Sequence, residues 1–184
     1  MHERGYTAVG VSDVCSTAGV KKGSFYHFFP SKVDLALDII ERQALEMESA
    51  LEEMVSGDKP PLERLTGYAD KLSHMQAEQQ ESCGKVLGCP IGNLALEIST
   101  QQPKLSERLR RVFDHTMHSF AEVVREAIER GDLPTQDPRR AGRSILALLE
   151  GHIMLAKINN DAGMLQGAGK EILAFLGRQT PAED

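Results

Sequence analysis

The sequence predicts an all-α fold, a short helix-turn-helix segment followed by a larger helical part. Three features of the 184 residues predict it. Nearly every apolar series recurs at three and four residues, the spacing of one helix face. Stretches of strict alternation are too short to make strands. Glycine and proline bound most of the series, at Gly19, Gly57, Pro60, Pro61, Pro103, Gly131 and Pro138.

Taken in order, Val11 to Ala18 reads as a short helix, Gly19-Val20 as a turn and Lys22 to Phe28 as a second short helix. Ser31 stands three residues before Asp34, an acidic variant of the capping box, and opens a long helix through Leu35, Leu37, Ile39, Ile40, Ala44, Leu45, Met47 and Leu51. Gly57 and Pro60-Pro61 end it. A further helix runs about Leu62 to Ser82, the glycine-punctuated segment Cys83 to Pro90 interrupts, and Ile91 to Thr100 is helical again. After Pro103, the series Leu105, Leu109, Val112, Phe113, Met117, Phe120, Val124 and Ile128 marks a long amphipathic helix that Gly131 closes. From Arg139 to Asn159, Ile145, Leu146, Leu148, Leu149, Ile153, Met154, Leu155, Ala156 and Ile158 cover more than one face. Such a helix is either centrally buried or meets another subunit, and Met164 to Leu176 follows it. These signals divide the chain at residues 1–45 and 46–184.

Composition narrows the function classes. At 41% apolar and 26% charged, without Trp, the chain supports one soluble globular domain with a small appendage. Charge interrupts every apolar stretch before the roughly 18 residues that a bilayer span needs, and Met1 to Arg4 lack a signal-peptide core. A cytoplasmic protein without a membrane partner is expected. Three cysteines are too few for a disulfide framework, so reduced thiols are the default. His115 and His118, three apart on one helix, lack a visible third ligand, and neither a metal nor a cofactor is expected. No Gly-x-Ser-x-Gly or phosphate-loop motif points to an enzyme.

The net charge of −6 conceals a local imbalance. Residues 1–45 hold five of the 21 Lys/Arg and five of the 27 Asp/Glu, leaving sixteen against twenty-two for the rest. Within the balanced part, Lys21, Lys22 and Lys32 share a stretch free of acids with Tyr26 and His27. Two short helices around a glycine turn, the second led by lysine, are the ingredients of a unit that lays its second helix in the DNA major groove.

The residues make this specific. Gly5-Tyr6, the run Ala18 to Lys32 and Leu35 closely resemble the DNA-binding segment of the TetR family of bacterial transcriptional regulators. The resemblance implies a homodimer that binds double-stranded operator DNA through a palindrome, with the acidic remainder binding a small effector and dimerising. It implies that Lys22, Gly23 and Ser24 open the recognition helix with Lys21 beside them as a further DNA-binding residue, that Tyr26 and His27 face phosphates, and that Lys32 pairs with a phosphate beside a helix N-terminus. The residues alone would equally make Tyr26 core and His27 an inert surface residue. Val14, Ala18, Val20, Phe25 and Phe29 are expected to form the small core, with Cys15 as packing. Family members carry a full helix before the Gly5-Tyr6 position, whereas four residues precede Gly5 here. Two expectations follow: a start further upstream, or a weakly held head and a helical ligand-binding and dimerising module without DNA binding.

Gly88-Cys89-Pro90-Ile91-Gly92-Asn93-Leu94-Ala95 resembles the glycine-cysteine motif of a subgroup of these regulators, some of which sense electrophiles or oxidants. In that subgroup's electrophile-sensing repressor a cysteine and a lysine at comparable places cooperate, which singles out Cys89 and Lys157. Pro90 favours the first helical position and sets Cys89 at a cap, where helix dipole and amides stabilise a thiolate. Cys89 is otherwise a small buried hydrophobe and Lys157 a snorkelling surface residue. Cys83 either resolves an oxidised Cys89 or is a bystander. A small apolar or electrophilic effector is the expected partner, and Met47, Met54, Met75, Met117 and Met154 either line its pocket or fill the core.

Overall fold

The computed structural model describes residues 4–98 and 100–177, so Ser99, inside the expected helix 91–100, lies outside the described residues. Among the described residues every regular element is helical: α1 (Val11–Ala18), α2 (Lys22–Phe28), α3 (Lys32–Ser56), α4 (Pro61–Cys83), α5 (Pro90–Ile98), α6 (Pro103–Glu129), α7 (Pro138–Asn159) and α8 (Ala168–Phe175), with a 3₁₀ turn at Ala162–Leu165. The all-α expectation holds. The chain forms two compact units.

The first unit joins the N-terminal residues up to Glu46 with Pro90–Val112. Sequence reading assigned 90–112 to the C-terminal part, because helix periodicity reports a buried face but not what buries it. The buried apolar side chains of this unit include Tyr6, Val9, Cys15, Phe25, Ala36, Ile40, Ile98, Leu105 and Leu109. The Ser31 cap is present: its Oγ accepts the Asp34 N–H at 3.3 Å and donates to the Asp34 carboxylate at 2.7 Å.

The second unit comprises Met47–Cys89 and the chain from Phe113 onward. Its core gathers Leu51, Leu65, Tyr68, Phe120, Val124, Ile145, Leu149 and Ile172, with the Tyr68 ring edge-on to Phe120 at 5.5 Å. α4 packs on α8 and on the 3₁₀ turn, which α7 also touches. Arg64, 7% exposed, donates to the carbonyls of Lys59 at 2.8 Å and Met54 at 2.7 Å, to that of Val55, and pairs with Glu126. It therefore satisfies carbonyls that the end of α3 leaves without helical partners. The expected Met164 to Leu176 segment is broken at Gln166-Gly167 into the 3₁₀ turn and α8.

The loop between α4 and α5 is stapled rather than loose. Asn160 accepts the Val86 N–H at 2.9 Å and donates to the Gly84 carbonyl at 3.1 Å, while Gln79 accepts the Leu87 N–H at 2.9 Å. The stretch from Gly84 to Leu87, just ahead of the glycine-cysteine segment, is thereby tied to Asn160 at the C-terminal end of α7 and to Gln79 on α4.

Candidate functional site

α1 ends at Gly19, which adopts the left-handed conformation (φ 67°) that a side chain resists. The Gly19 N–H reaches the Ser16 carbonyl at 3.3 Å and the Val20 N–H the Cys15 carbonyl at 3.0 Å, closing the turn. α2 then presents Lys21, Lys22, Gly23, Ser24, Tyr26 and His27 to solvent while Phe25 faces inward. The Phe25 ring meets Tyr26 edge-on at 5.3 Å and Phe29 at 5.8 Å. Phe28, 73% exposed, adds an apolar patch to this face.

The small core departs from expectation. Ala18 is exposed and Val20 is 45% exposed, while Val14 and Phe29 are half-buried. α1 and α2 each bury a single side chain, Cys15 and Phe25, and the rest of the packing comes from Tyr6 and Val9 in the preceding loop. Cys15 is thus packing, as expected. The Lys32 ammonium donates to the Tyr6 carbonyl at 3.0 Å and the Val9 carbonyl at 3.1 Å, and lies 4.2 Å from the Tyr6 ring centroid. Two of its three N–H groups therefore secure the loop ahead of α1, a role that sequence spacing did not indicate.

In the second unit, Cys89 is half-buried against Val86, Ile153, Ala156, Ala162 and Leu165. Pro90 opens α5, so Cys89 precedes that helix as expected. Sequence reasoning missed Glu150. Burial pushes its carboxyl above the usual range, and a hydrogen bond with the Cys89 side chain pulls it only partly back. The neighbouring Tyr68 hydroxyl is raised as well, first by burial and then by the charges of Cys89 and Glu150. Tyr68, Cys89 and Glu150 therefore form one polar cluster. The available signal was that Glu150 is the one acid in the apolar run from Ser144 to Ile158, on the same stripe as Ile153 and Lys157.

Lys157 is exposed on α7. Cys83 is exposed, with the Gln79 carbonyl at 3.1 Å and the Lys85 carbonyl at 3.4 Å as alternative acceptors for its single thiol proton. His115 and His118 are exposed, and His118 sits 3.5 Å from Glu122. No group of three metal-ligating side chains occurs among the described residues. The methionines are dispersed, with Met54 buried, Met47 and Met117 half-buried, and Met75 and Met154 about half exposed. No described helix is long and apolar enough to cross a membrane.

α7 is apolar on two sides, as its sequence indicated. Ile145, Leu149, Ile153 and Ala156 are buried, while Met154, Leu155 and Ile158 are exposed at 49%, 43% and 71%.

A lysine-led helix presented to solvent behind a left-handed glycine turn, on an otherwise helical chain, defines a helix-turn-helix regulator. The family described as bacterial regulatory proteins, tetR family, matches residues 1–39, and the tetracyclin repressor-like C-terminal domain matches residues 61–172. The chain belongs to the TetR family of DNA-binding transcriptional regulators. It is 32% identical to the transcriptional regulator AcuR of Cereibacter sphaeroides, covering 85% of this chain and 70% of that one. It is 27% identical to the HTH-type transcriptional repressor NemR of Escherichia coli over 98% of this chain and 88% of the relative. Solved structures agree. The reduced form of E. coli NemR superposes with a TM-score of 0.79 at 25% identity (98% and 91% covered), and the regulatory protein TetR from Rhodobacter sphaeroides with 0.80 at 29% (93% and 89% covered). The likeness to NemR supports the glycine-cysteine subgroup.

Proposed function

We propose that this chain is a cytoplasmic, homodimeric repressor that holds a palindromic operator and releases it when a small apolar or electrophilic effector engages the second unit. The observation that carries the reading is α2, whose Lys21, Lys22, Gly23 and Ser24 are exposed while Phe25 anchors it from behind. Lys22 and Ser24 read base edges, Gly23 lets the backbone approach, and Lys21, Tyr26 and His27 serve phosphates. Lys32 has one N–H left for a phosphate and otherwise holds the entry loop.

On the effector side, Cys89 is the reactive group. Its sulfur bonds to the β-carbon of an activated alkene, the π pair shifts to the α-carbon, and the thiol proton ends on that carbon by way of Glu150 or water. Glu150, hydrogen-bonded with the Cys89 side chain, is a neighbour that takes up the proton. Lys157 and Cys83 remain candidates for assisting and for resolving an oxidised sulfur.

The test is a titration with duplexes that the wild-type chain itself retains from fragmented genomic DNA, at two salt concentrations. Operator affinity should fall by about 10³ or more between 50 and 200 mM salt if six or more phosphates are neutralised. Lys22→Ala should alter base preference at a cost of about 1–3 kcal/mol. A wild-type chain that retains no duplex refutes the reading. Treatment with N-ethylmaleimide should release the duplex from wild type and spare Cys89→Ser; equal release from both refutes Cys89 as the reactive group and points to alkylation of another thiol, such as the exposed Cys83.

A further inference from the structure

The loop Gly5 to Val9 leads into α1, and side chains outside the helix-turn-helix grip it from two sides. From α5, the Glu97 carboxylate accepts the Tyr6 N–H at 2.7 Å through one oxygen and the Thr7 N–H at 2.6 Å through the other. From α3, Lys32 takes the Tyr6 and Val9 carbonyls. An anion thus faces the N–H side of the loop and a cation its carbonyl side. Gly5 has φ 83°, and a Cβ there would stand 3.0 Å from a Glu97 oxygen, so the seat fits a glycine backbone. Burial pushes Glu97 upward, but hydrogen bonds from Thr7 and Tyr6 and the nearby Lys32 outweigh it and hold the carboxyl below the usual range. Further along the chain, Arg108 on α6 donates to both oxygens of Glu41 on α3, at 2.6 and 2.7 Å. Planar two-point contacts of this kind fix orientation as well as distance.

We propose that Glu97, seconded by Arg108, is a positioning residue for DNA recognition: the α5–α6 segment sets the pose of α2 through the Tyr6-Thr7 amides ahead of α1 and through Glu41 on α3, the helix that follows α2. The inference rests on α2 being the recognition helix. Its physical reason is area. One buried side chain from each of α1 and α2 gives too little hydrophobic contact to hold an orientation, so charge-assisted hydrogen bonds from 90–112 hold it instead. The head that meets DNA is therefore built from two separated stretches of chain.

The experiment uses the full chain, a fluorescent duplex recovered by the wild type, and the variants Glu97→Ala and Glu97→Gln. Glu97→Ala is expected to weaken binding about tenfold or more, the size of an ordinary coupling between sites. It should also flatten the salt dependence, because a misplaced head loses phosphate contacts, and speed hydrogen exchange at the Tyr6 and Thr7 amides. Glu97→Gln keeps one acceptor oxygen and should fall between the two; it decides the matter alone if the alanine variant does not fold. A residue that only stabilised the fold would lower Tm and leave the affinity and salt slope of the folded protein at wild-type values. That result, or unchanged binding by both variants, overturns the inference, whereas failure of the wild type to bind any duplex refutes the reading of α2 and this inference with it.

Discussion

Glu150 and Glu97 are both glutamates on helices, yet their surroundings drive them in opposite directions. Glu150 is raised by burial, and the Cys89 side chain offsets this only in part. Its ionised form therefore weakens the fold above its own pKa, and the penalty disappears as the pH falls through that pKa towards the ordinary glutamate value. Glu150→Gln should raise Tm at pH 8 by a gain on the order of 1 kcal/mol, the usual size of a single-site effect, and the gain should shrink steadily as melts are repeated down to pH 4. An advantage that persists at pH 4 would show that the carboxyl's charge is not the cause. Glu97 has the reverse sign: its hydrogen bonds contribute above the ordinary glutamate pKa and are lost as the pH falls through its lowered value. An isolated acid inside an apolar helical run marks Glu150 in the sequence. Glu97 carries no such mark, since its amide partner Tyr6 is 91 residues away.

Helix boundaries were legible wherever the stop and start signals were local. α1 and α2 fall on the residues that their glycine turn and lysine start indicated, and Ser31 caps α3 as its spacing with Asp34 required. Signals that act across the chain were not legible. Gln166-Gly167 divides the last segment, and 90–112 joins the N-terminal unit, for reasons of packing that no window of periodicity contains. Arg64 belongs to this second kind, because a charged residue in an amphipathic helix reads as a solvent-facing one. In the structure it is buried, with the Met54, Val55 and Lys59 carbonyls and the Glu126 carboxylate around it. Arg64→Met should leave those carbonyls unsatisfied and lower stability by about 2–3 kcal/mol, less than for a fully buried pair because Glu126 is 41% exposed. Urea unfolding would read this as a lower midpoint at unchanged slope. A loss under about 0.5 kcal/mol, typical of a surface site, would show that water replaces the guanidinium at little cost.

For the molecule as a whole, the proposed recognition of an operator by two copies requires a self-complementary face, and the exposed apolar side of α7 is the candidate for it. Met154, Leu155 and Ile158 are exposed on the side opposite Ile145 and Leu149, and Phe175 on α8 is 53% exposed. A helix that spends one apolar side on its own core leaves the other for a partner, and in a two-fold pair each such side chain is counted twice. Ile158, at 71% exposure, stands farthest out of these. Ile158→Glu should place two unpaired carboxylates in the shared face. The expected rise in dimer Kd is about 100-fold or more, equivalent to roughly 2.7 kcal/mol, with little change in the melting of the monomer. Sedimentation across a concentration series measures this directly. Operator affinity should fall in parallel, because a single head keeps only half of the palindrome and loses the effective concentration that links the two halves. A variant that sediments as a dimer at wild-type concentrations would remove α7 as the interface, and a wild-type chain that sediments as a monomer at micromolar concentration would remove the two-headed mode of binding itself.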